Sequence, residues 1–514
     1  MASIRPDHPF VAKHQQQIFG VLNCFDRVIF RGHLPLSYPR GLSGFLYQQQ
    51  VLLKNFKEYA LRIAERVRDH VKAAVQKAGA PFRHLTRREP MEALAREMAA
   101  AEQIDEGIVC GFSQLESCRT FRFEYVGDKP GLRSDFRTCS VLYVFLMHRE
   151  LGLIHVKIQT WLPLTMQVYV NGHDYLARKL SKARVEYDRY DNAFTWINGV
   201  AATQPMADRF AKLPWRKVLG DLARRFNPLL GRELGNAEYY WVLDQAEFST
   251  DVLFKSRSSL SNLYQRMVEH ARVSISADDV FRFLGRKPSG HFQGEVNTHI
   301  DRRVEGVRVV HRLKSNKLKM YDKGGLILRI ETTINNPREF RVRRRRAGSR
   351  KLTWQELPKG VAWMWRFADI GAASNRRYLE AMAVVEDDGR ARRLVDRVTQ
   401  PAQLAGRRKR ALQPLSPDEQ RLFLAVLRGE HRLRGFRNRD LAERLYPAMV
   451  EDQVDRRRRC GRVTRLIQTL RAHGLVARIS HTRRYRITRD GELLMSAAIK
   501  AKERYLPMEI HNAA

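Results

Sequence analysis

Side chains able to act on a phosphate ester are concentrated in two short segments. WVLDQAEFSTDVLF (241–254) carries Asp244, Glu247 and Asp251, and LKMYDKGGLILRIE (318–331) carries Lys319, Tyr321, Lys323, Arg329 and Glu331. A tyrosine hydroxyl can be a nucleophile that takes a phosphoryl group into a covalent intermediate. Lys319, Lys323 and Arg329 suit the negative charge that develops on phosphate oxygens. Residues i and i+4 of a strand share a face, so Glu247 and Asp251 project together while Asp244 projects to the other side. With Glu331 they form an all-oxygen set suited to Mg²⁺ or Mn²⁺. The plain alternative is a solvated sheet face held by cross-strand Lys–Glu pairs.

These side chains need strands to position them. The run VRVVHRLKSNKLKMYDKGGLILRIETTIN (307–335) reads as two or three strands with a tight turn at Lys323-Gly324-Gly325. A three-residue loop with glycine in a left-handed position sets Asp322 opposite Leu326, Tyr321 opposite Ile327, Met320 opposite Leu328 and Lys319 opposite Arg329. One face then receives Leu318, Met320, Leu326, Leu328 and Ile330. The other receives Lys317, Lys319, Tyr321, Arg329 and Glu331, with Ile327 the apolar exception. A two-residue Gly-Gly turn would mix the faces, so segregation favours the longer loop.

The segments AEFSTDV and LKMYDKGGLILRIE together resemble the core of rolling-circle replication initiators of the Rep_trans type. There an acid-x3-acid strand precedes a strand ending in tyrosine-acid-lysine, and a strand with Arg-x-Glu follows. The resemblance covers roughly residues 240–340. It implies Glu247, Asp251 and Glu331 as metal ligands and Tyr321 as the residue that nicks DNA with a divalent metal, beside Lys323 and Arg329. The first acid here is Glu, and the His-apolar-His pair of related nicking families is missing. His155, His299 and His311 stand isolated and read as structural.

The chain before these segments reads in two parts. Residues 1–104 hold a strand pair (18–34, with Asp26 between two apolar runs) and a helical arm whose long helix covers 42–79. Residues 105–236 hold short Val-, Ile- and aromatic-rich strands over 107–171, then helices. Arg122, Lys157, Gln159 and Trp161, where exposed, suit stacking on bases and holding phosphates. The expected fold class is α+β and multidomain: an antiparallel-sheet core at 237–385 and long helices, a basic linker at 386–415, a winged helix-turn-helix at 416–500 and a tail at 501–514.

In that C-terminal module, three helices precede two short strands, and LIQTLRAHGLVARISHTRRYRITRDG closely resembles the recognition-helix-plus-wing segment of bacterial winged-helix DNA binders. Val463, Leu466, Ile467 and Leu470 line one face of the third helix. Arg458, Arg465 and Gln468 point away from it, flanked by Arg462 and Thr469, as a major-groove reader requires. Arg483 and Arg484 in the wing suit phosphate or the minor groove.

Composition agrees with a polyanionic partner. The 514 residues hold 93 Lys+Arg against 55 Asp+Glu, a formal net charge of +38 that repels itself unless neutralised. DNA is the expected partner and RNA the alternative. A membrane is not expected, because no apolar run reaches about 18 residues and no apolar leader opens the chain. Five scattered cysteines without a C-x-x-C pair suit a reducing cytoplasm. Three functions follow: a mobile-element or plasmid-type protein that nicks DNA through Tyr321; a non-catalytic DNA- or RNA-binding regulator or ribonucleoprotein component; and a carboxylate-only two-metal nuclease or transposase using Asp26, Asp244 or Glu247.

Overall fold

A computed structural model describes residues 8–86, 89–126, 129–287, 292, 294–303, 306–345, 348–349, 351–385, 394–447, 452–480 and 482–502. The chain is mixed α/β with a large antiparallel sheet, and forms two compact units. Among the described residues no helix is long and apolar enough to cross a membrane.

The first unit holds residues 16–255 and 315–375. Its strands are β1 (Ile18–His33), β2 (Phe82–His84), β3 (Gly107–Val126), β4 (Lys129–His148), β5 (Gly152–Gln159), β6 (Met166–Asn171), β7 (Tyr187–Tyr190), β8 (Ala193–Ile197) and β9 (Tyr240–Phe254). The second unit contributes β10 (Val296–Arg303) and β11 (Gly306–Leu313), which pair with each other. The first unit resumes with β12 (Asn316–Lys323), β13 (Ile327–Ile334), β14 (Arg341–Arg345) and β15 (Leu352–Glu356). Within it the main sheet runs β12-β13-β9-β1-β6-β5-β4-β3-β2, and β7–β8 and β14–β15 are separate hairpins.

The central strands are rich in β-branched and aromatic residues, which suit a pleated and packed surface. Residues 18–33 form one long strand, not the expected pair. Between Phe25↔Phe248 and Val28↔Ala246 the register slips by one, so Asp26 and Arg27 both stand opposite Glu247. Such a β-bulge re-aims side chains without breaking the strand. The helix expected over 42–79 is two helices, Pro39–Gln48 and Phe56–Lys77, separated by a left-handed Gln50 at φ 57° and a 3₁₀ turn. GIVCGF and RTFRFEYV belong to one strand, β3, which pairs with β4 along its length.

The predicted hairpin is present with its register moved by one residue on each strand. Lys319 faces Glu331, Met320 faces Ile330, Tyr321 faces Arg329 and Asp322 faces Leu328. The loop is Gly324-Gly325-Leu326, with both glycines in the left-handed region at φ 66° and 76°. The combined slip is even, so the two faces keep their membership. Leu318, Met320, Leu328 and Ile330 are buried on one face. On that side Asn375, from the helix Met364–Met382, accepts from Thr332 Oγ1 at 2.6 Å and donates to Phe248 O at 3.0 Å.

The opposite face is covered in part by the helix Gly172–Lys182, the β7–β8 hairpin and the helix Val200–Arg209. Leu22, Cys24 and Leu253 from the sheet pack there with Leu176, Phe194, Ile197 and Val200. The helix starts directly from β6, where the Asn171 side chain accepts from the backbone N–H of His173 and of Asp174. A Cβ on Gly172 would lie 2.1 Å from Phe25 O, so only glycine lets this helix start press on β1.

The second unit holds residues 6–15, 256–314 and 376–514. In its C-terminal part the helices Pro417–Val426, Gly429–Arg434, Asn438–Leu445, Gln453–Ala472 and Arg489–Lys500 enclose a core with Leu422, Phe423, Leu441, Val463, Ile467 and Leu470. Strands Val476–Arg478 and Tyr485–Ile487 form a short hairpin. The stretch read as a linker is built into this core where described. It contains the hairpin Ala402–Leu404/Arg407–Lys409, and Leu394, Val398 and Leu412 are buried.

Candidate functional site

The polar side chains of four adjacent strands meet on the face that the helix Gly172–Lys182 only partly covers. From β1 comes Asp26, from β9 Glu247 and Asp251, from β13 Arg329 and Glu331, and from β12 Lys319 and Tyr321. The carboxylates of Asp26, Glu247 and Glu331 each bring an oxygen within 4.8 Å of the others, and all three residues are buried. One cation bound at about 2.0–2.6 Å from each oxygen fits that spacing.

Lys319 reaches into this set. Its ammonium donates to Glu247 Oε1 at 3.0 Å and Glu331 Oε1 at 2.5 Å. Burial alone would lower the Lys319 pKa, but the charges of Glu331 and Glu247 raise it. Burial, reinforced by Glu331, raises that of Glu247. Tyr321 donates its hydroxyl to Glu331 Oε2 at 2.6 Å. Burial and the Glu331 charge push the phenol well above its ordinary value.

Asp251 shares the strand face of Glu247, as expected, but it is not a member of the carboxylate set. Arg329, fully buried, holds it with a two-pronged contact, Nε to Oδ1 at 2.7 Å and the second terminal nitrogen to Oδ2 at 2.7 Å. Burial would raise the Asp251 pKa, but Arg329 brings it down to about 2. The place expected for Asp251 as a ligand is taken by Asp26, which the bulge turns toward Glu247. Arg329 also reaches Asp26 Oδ2 at 3.2 Å and overrides the burial that would raise its pKa. Asn171 and Asn192 donate to Asp26 Oδ1 at 3.2 and 2.7 Å.

Lys323 stands outside the set. It donates to Asp191 Oδ2 at 2.7 Å and to Asn192 Oδ1, tying down the β7–β8 turn that presents Asn192. Asp244 pairs with Arg31 at 2.6 Å. His173 is fully buried at the helix start, with Nε2 at 3.1 Å from Arg329 and Nδ1 at 3.6 Å from Asp26. Sequence reasoning missed His173, Asn171 and Asn192. The readable signal was Asn171-Gly172-His173-Asp174, a cap that starts a helix directly after a strand.

The buried residues Asp26, Glu247, Asp251 and Glu331 outnumber the cations Lys319 and Arg329 among them. Arg27, half exposed, stands 4.0 Å from Glu247. Such an excess of buried carboxylate favours a bound cation, and oxygen donors favour a hard one.

The other expected contacts fare differently. Trp161 is buried under Arg137, and the Gln159 amide donates to Arg119 O and Trp161 O. Lys157 pairs with Glu116, and Arg122 with Glu124. Among these four side chains, therefore, no free ring is left for a base. In the helix Gln453–Ala472, Arg458, Arg462 and Arg465 are exposed. Gln468 instead accepts from Lys409 Nζ at 2.7 Å, and Thr469 is buried with its hydroxyl on Arg465 O. Arg483 is exposed, whereas Arg484 is half-buried and donates to Gly435 O.

Fold and site thus define a large antiparallel sheet that gathers carboxylates, a lysine and a tyrosine on one partly covered face. The chain matches no family model, no curated protein and no solved structure.

Proposed function

We propose that the chain is a nucleic-acid-binding protein, of a mobile element or plasmid-type replicon, that nicks DNA at the Asp26–Glu247–Glu331 site. The observation that carries this reading is the convergence of three buried carboxylates with the Tyr321 hydroxyl hydrogen-bonded to one of them. A Mg²⁺ or Mn²⁺ ion held by Asp26, Glu247 and Glu331 would polarise the scissile phosphate and offset its charge. Glu331 accepts the phenol proton as Tyr321 Oη bonds to phosphorus. The phosphorus–oxygen bond to the neighbouring sugar breaks, and the leaving oxygen takes a proton from water. Lys319, bonded to Glu247 and Glu331, adds positive charge beside the phosphate. Arg329 and His173 hold Asp251 and Asp26 in place and do not touch the substrate.

The C-terminal helices with their hairpin act in this proposal as a winged helix-turn-helix that finds the site. The exposed Arg458, Arg462 and Arg465, and the net charge of +38, support it. One observation favours a second reading, in which a water beside the cation that Asp26, Glu247 and Glu331 would hold replaces tyrosine as nucleophile: burial and the Glu331 charge raise the Tyr321 pKa and oppose formation of the phenolate.

Supercoiled DNA incubated with the protein and Mg²⁺ or, separately, Mn²⁺ distinguishes these readings. The tyrosine mechanism predicts nicked circles with protein covalently attached, and loss of both with Tyr321→Phe. Nicking that survives Tyr321→Phe but fails with Glu247→Gln selects the water mechanism. No nicking by the wild type with either metal overturns both.

A further inference from the structure

The polar sheet face continues beyond the carboxylates. Past the bulge, Arg27, Ile29, Arg31 and His33 are exposed or half-buried, while Val28, Phe30 and Gly32 are buried. Arg27 and Arg31 therefore follow one another on the Glu247 side, about 13 Å apart along the strand. Arg31, paired with Asp244, opens into a cleft of about 510 Å³ whose lining also includes Tyr38, Tyr240, Arg338, Arg344 and Lys359, against the acids Asp244 and Glu356. Tyr38 and Tyr240 keep 68% and 65% of their surface exposed, although large rings are usually covered.

The β14–β15 hairpin adds to this surface. Arg341, Arg343 and Arg345 alternate on its exposed side, and Arg343 stands directly opposite Trp354, which is 65% exposed. Over residues 338–359 the only acids are Glu339 and Glu356, while five arginines fall between 338 and 345.

We infer that this cleft and hairpin bind an unpaired DNA strand that runs to the carboxylate site. Exposed rings gain by stacking only on bases whose faces are free, and a duplex hides those faces; flanking arginines take the phosphates. The role deepens the proposed phosphodiester site by naming a single-stranded segment as its substrate. It is distinct from the duplex recognition assigned to the C-terminal helices.

Fluorescence anisotropy of the full chain tests it, with a labelled single strand of about 20 nucleotides, longer than an ordinary strand-binding site. The same oligonucleotide as a duplex and as RNA provides the comparisons. Tyr240→Ala and Trp354→Ala should each weaken single-strand DNA binding roughly five- to a hundredfold and leave duplex binding unchanged, while Tyr240→Phe should keep wild-type affinity. Both rings are exposed, so neither change threatens folding. Single-strand affinity unchanged in the double alanine variant overturns the proposal, as does equal loss for duplex. Tighter binding of RNA than DNA overturns the choice of DNA. Ring-dependent DNA binding by a protein that never nicks supports the cleft and refutes only the catalytic reading.

Discussion

At the residue scale the site turns on how Lys319 and Arg329 divide four buried acids. Arg329 neutralises Asp251 and braces Asp26, with a planar fork that a lysine could not reproduce. Lys319 bridges Glu247 and Glu331, with the Thr333 hydroxyl donating to both at 3.4 Å, and it supplies positive charge between them. Lys319→Met should therefore destabilise the protein in EDTA by about 3–5 kcal/mol, the cost of leaving a buried charge unpaired. Mn²⁺ should restore part of that loss, and should stabilise this variant more than the wild type. Urea unfolding with and without Mn²⁺ measures both effects. Equal metal-induced stabilisation of variant and wild type would count against a cation binding between these carboxylates. Strand alternation in the sequence was enough to put Glu247 and Asp251 on one face. It could not tell which acid an arginine 78 positions further on would claim.

At the scale of elements, what was legible followed from periodicity. Two-residue alternation sorted the faces of β12 and β13 correctly, and that result survived an even slip in register. The slip itself was hidden because Gly324-Gly325 fits a loop begun at either Lys323 or Gly324. The bulge at Asp26 was hidden too, since nothing in CFDRVIF marks which residue is extra. Asp26 was therefore visible as a lone acid, and its place beside Glu247 came only with the long-range pairing of β1 and β9. His155 on β5 shows how such pairing also sets a titration. It stacks on Tyr169 of β6 at 4.8 Å and 8°, and burial, aided by Lys157 and Arg27, pushes its pKa down to about 3. An unfolded histidine titrates at about 6.5. The folded value is depressed, so its contribution to stability is full above pH ~6.5 and is lost as pH falls toward 3. His155→Phe, which keeps an aromatic ring there, should flatten the fall in Tm across that window. A curve parallel to the wild type's would contradict the assignment.

At the scale of the molecule, charge sets the terms of association. In the proposed function, a net +38 would concentrate the protein on a polyanion, and the exposed arginines of Gln453–Ala472 would supply phosphate or base contacts. Duplex binding should weaken steeply with salt, and Arg462→Ala should reduce the slope of log Kobs against log salt by about 1 if it contacts a phosphate. Anisotropy titrations at several salt concentrations measure the slope, and a salt-independent affinity would contradict an electrostatic interface. The helices Pro417–Val426, Asn438–Leu445 and Gln453–Ala472 could be placed from apolar spacing because their core is local, whereas the short helix Gly429–Arg434 was not expected. Gln468 could not be placed, because Lys409, which holds it, lies in a stretch that reads as linker.

The central claim is that Asp26, Glu247 and Glu331 hold one divalent cation, and Mn²⁺ titration of the full chain by calorimetry tests it most directly. One site should appear in the wild type and persist in Asp244→Asn, whose carboxylate pairs with Arg31 away from the set. It should vanish in Glu247→Gln. A wild type that takes up no Mn²⁺, or a Glu247→Gln variant that binds it with unchanged affinity, would contradict the account.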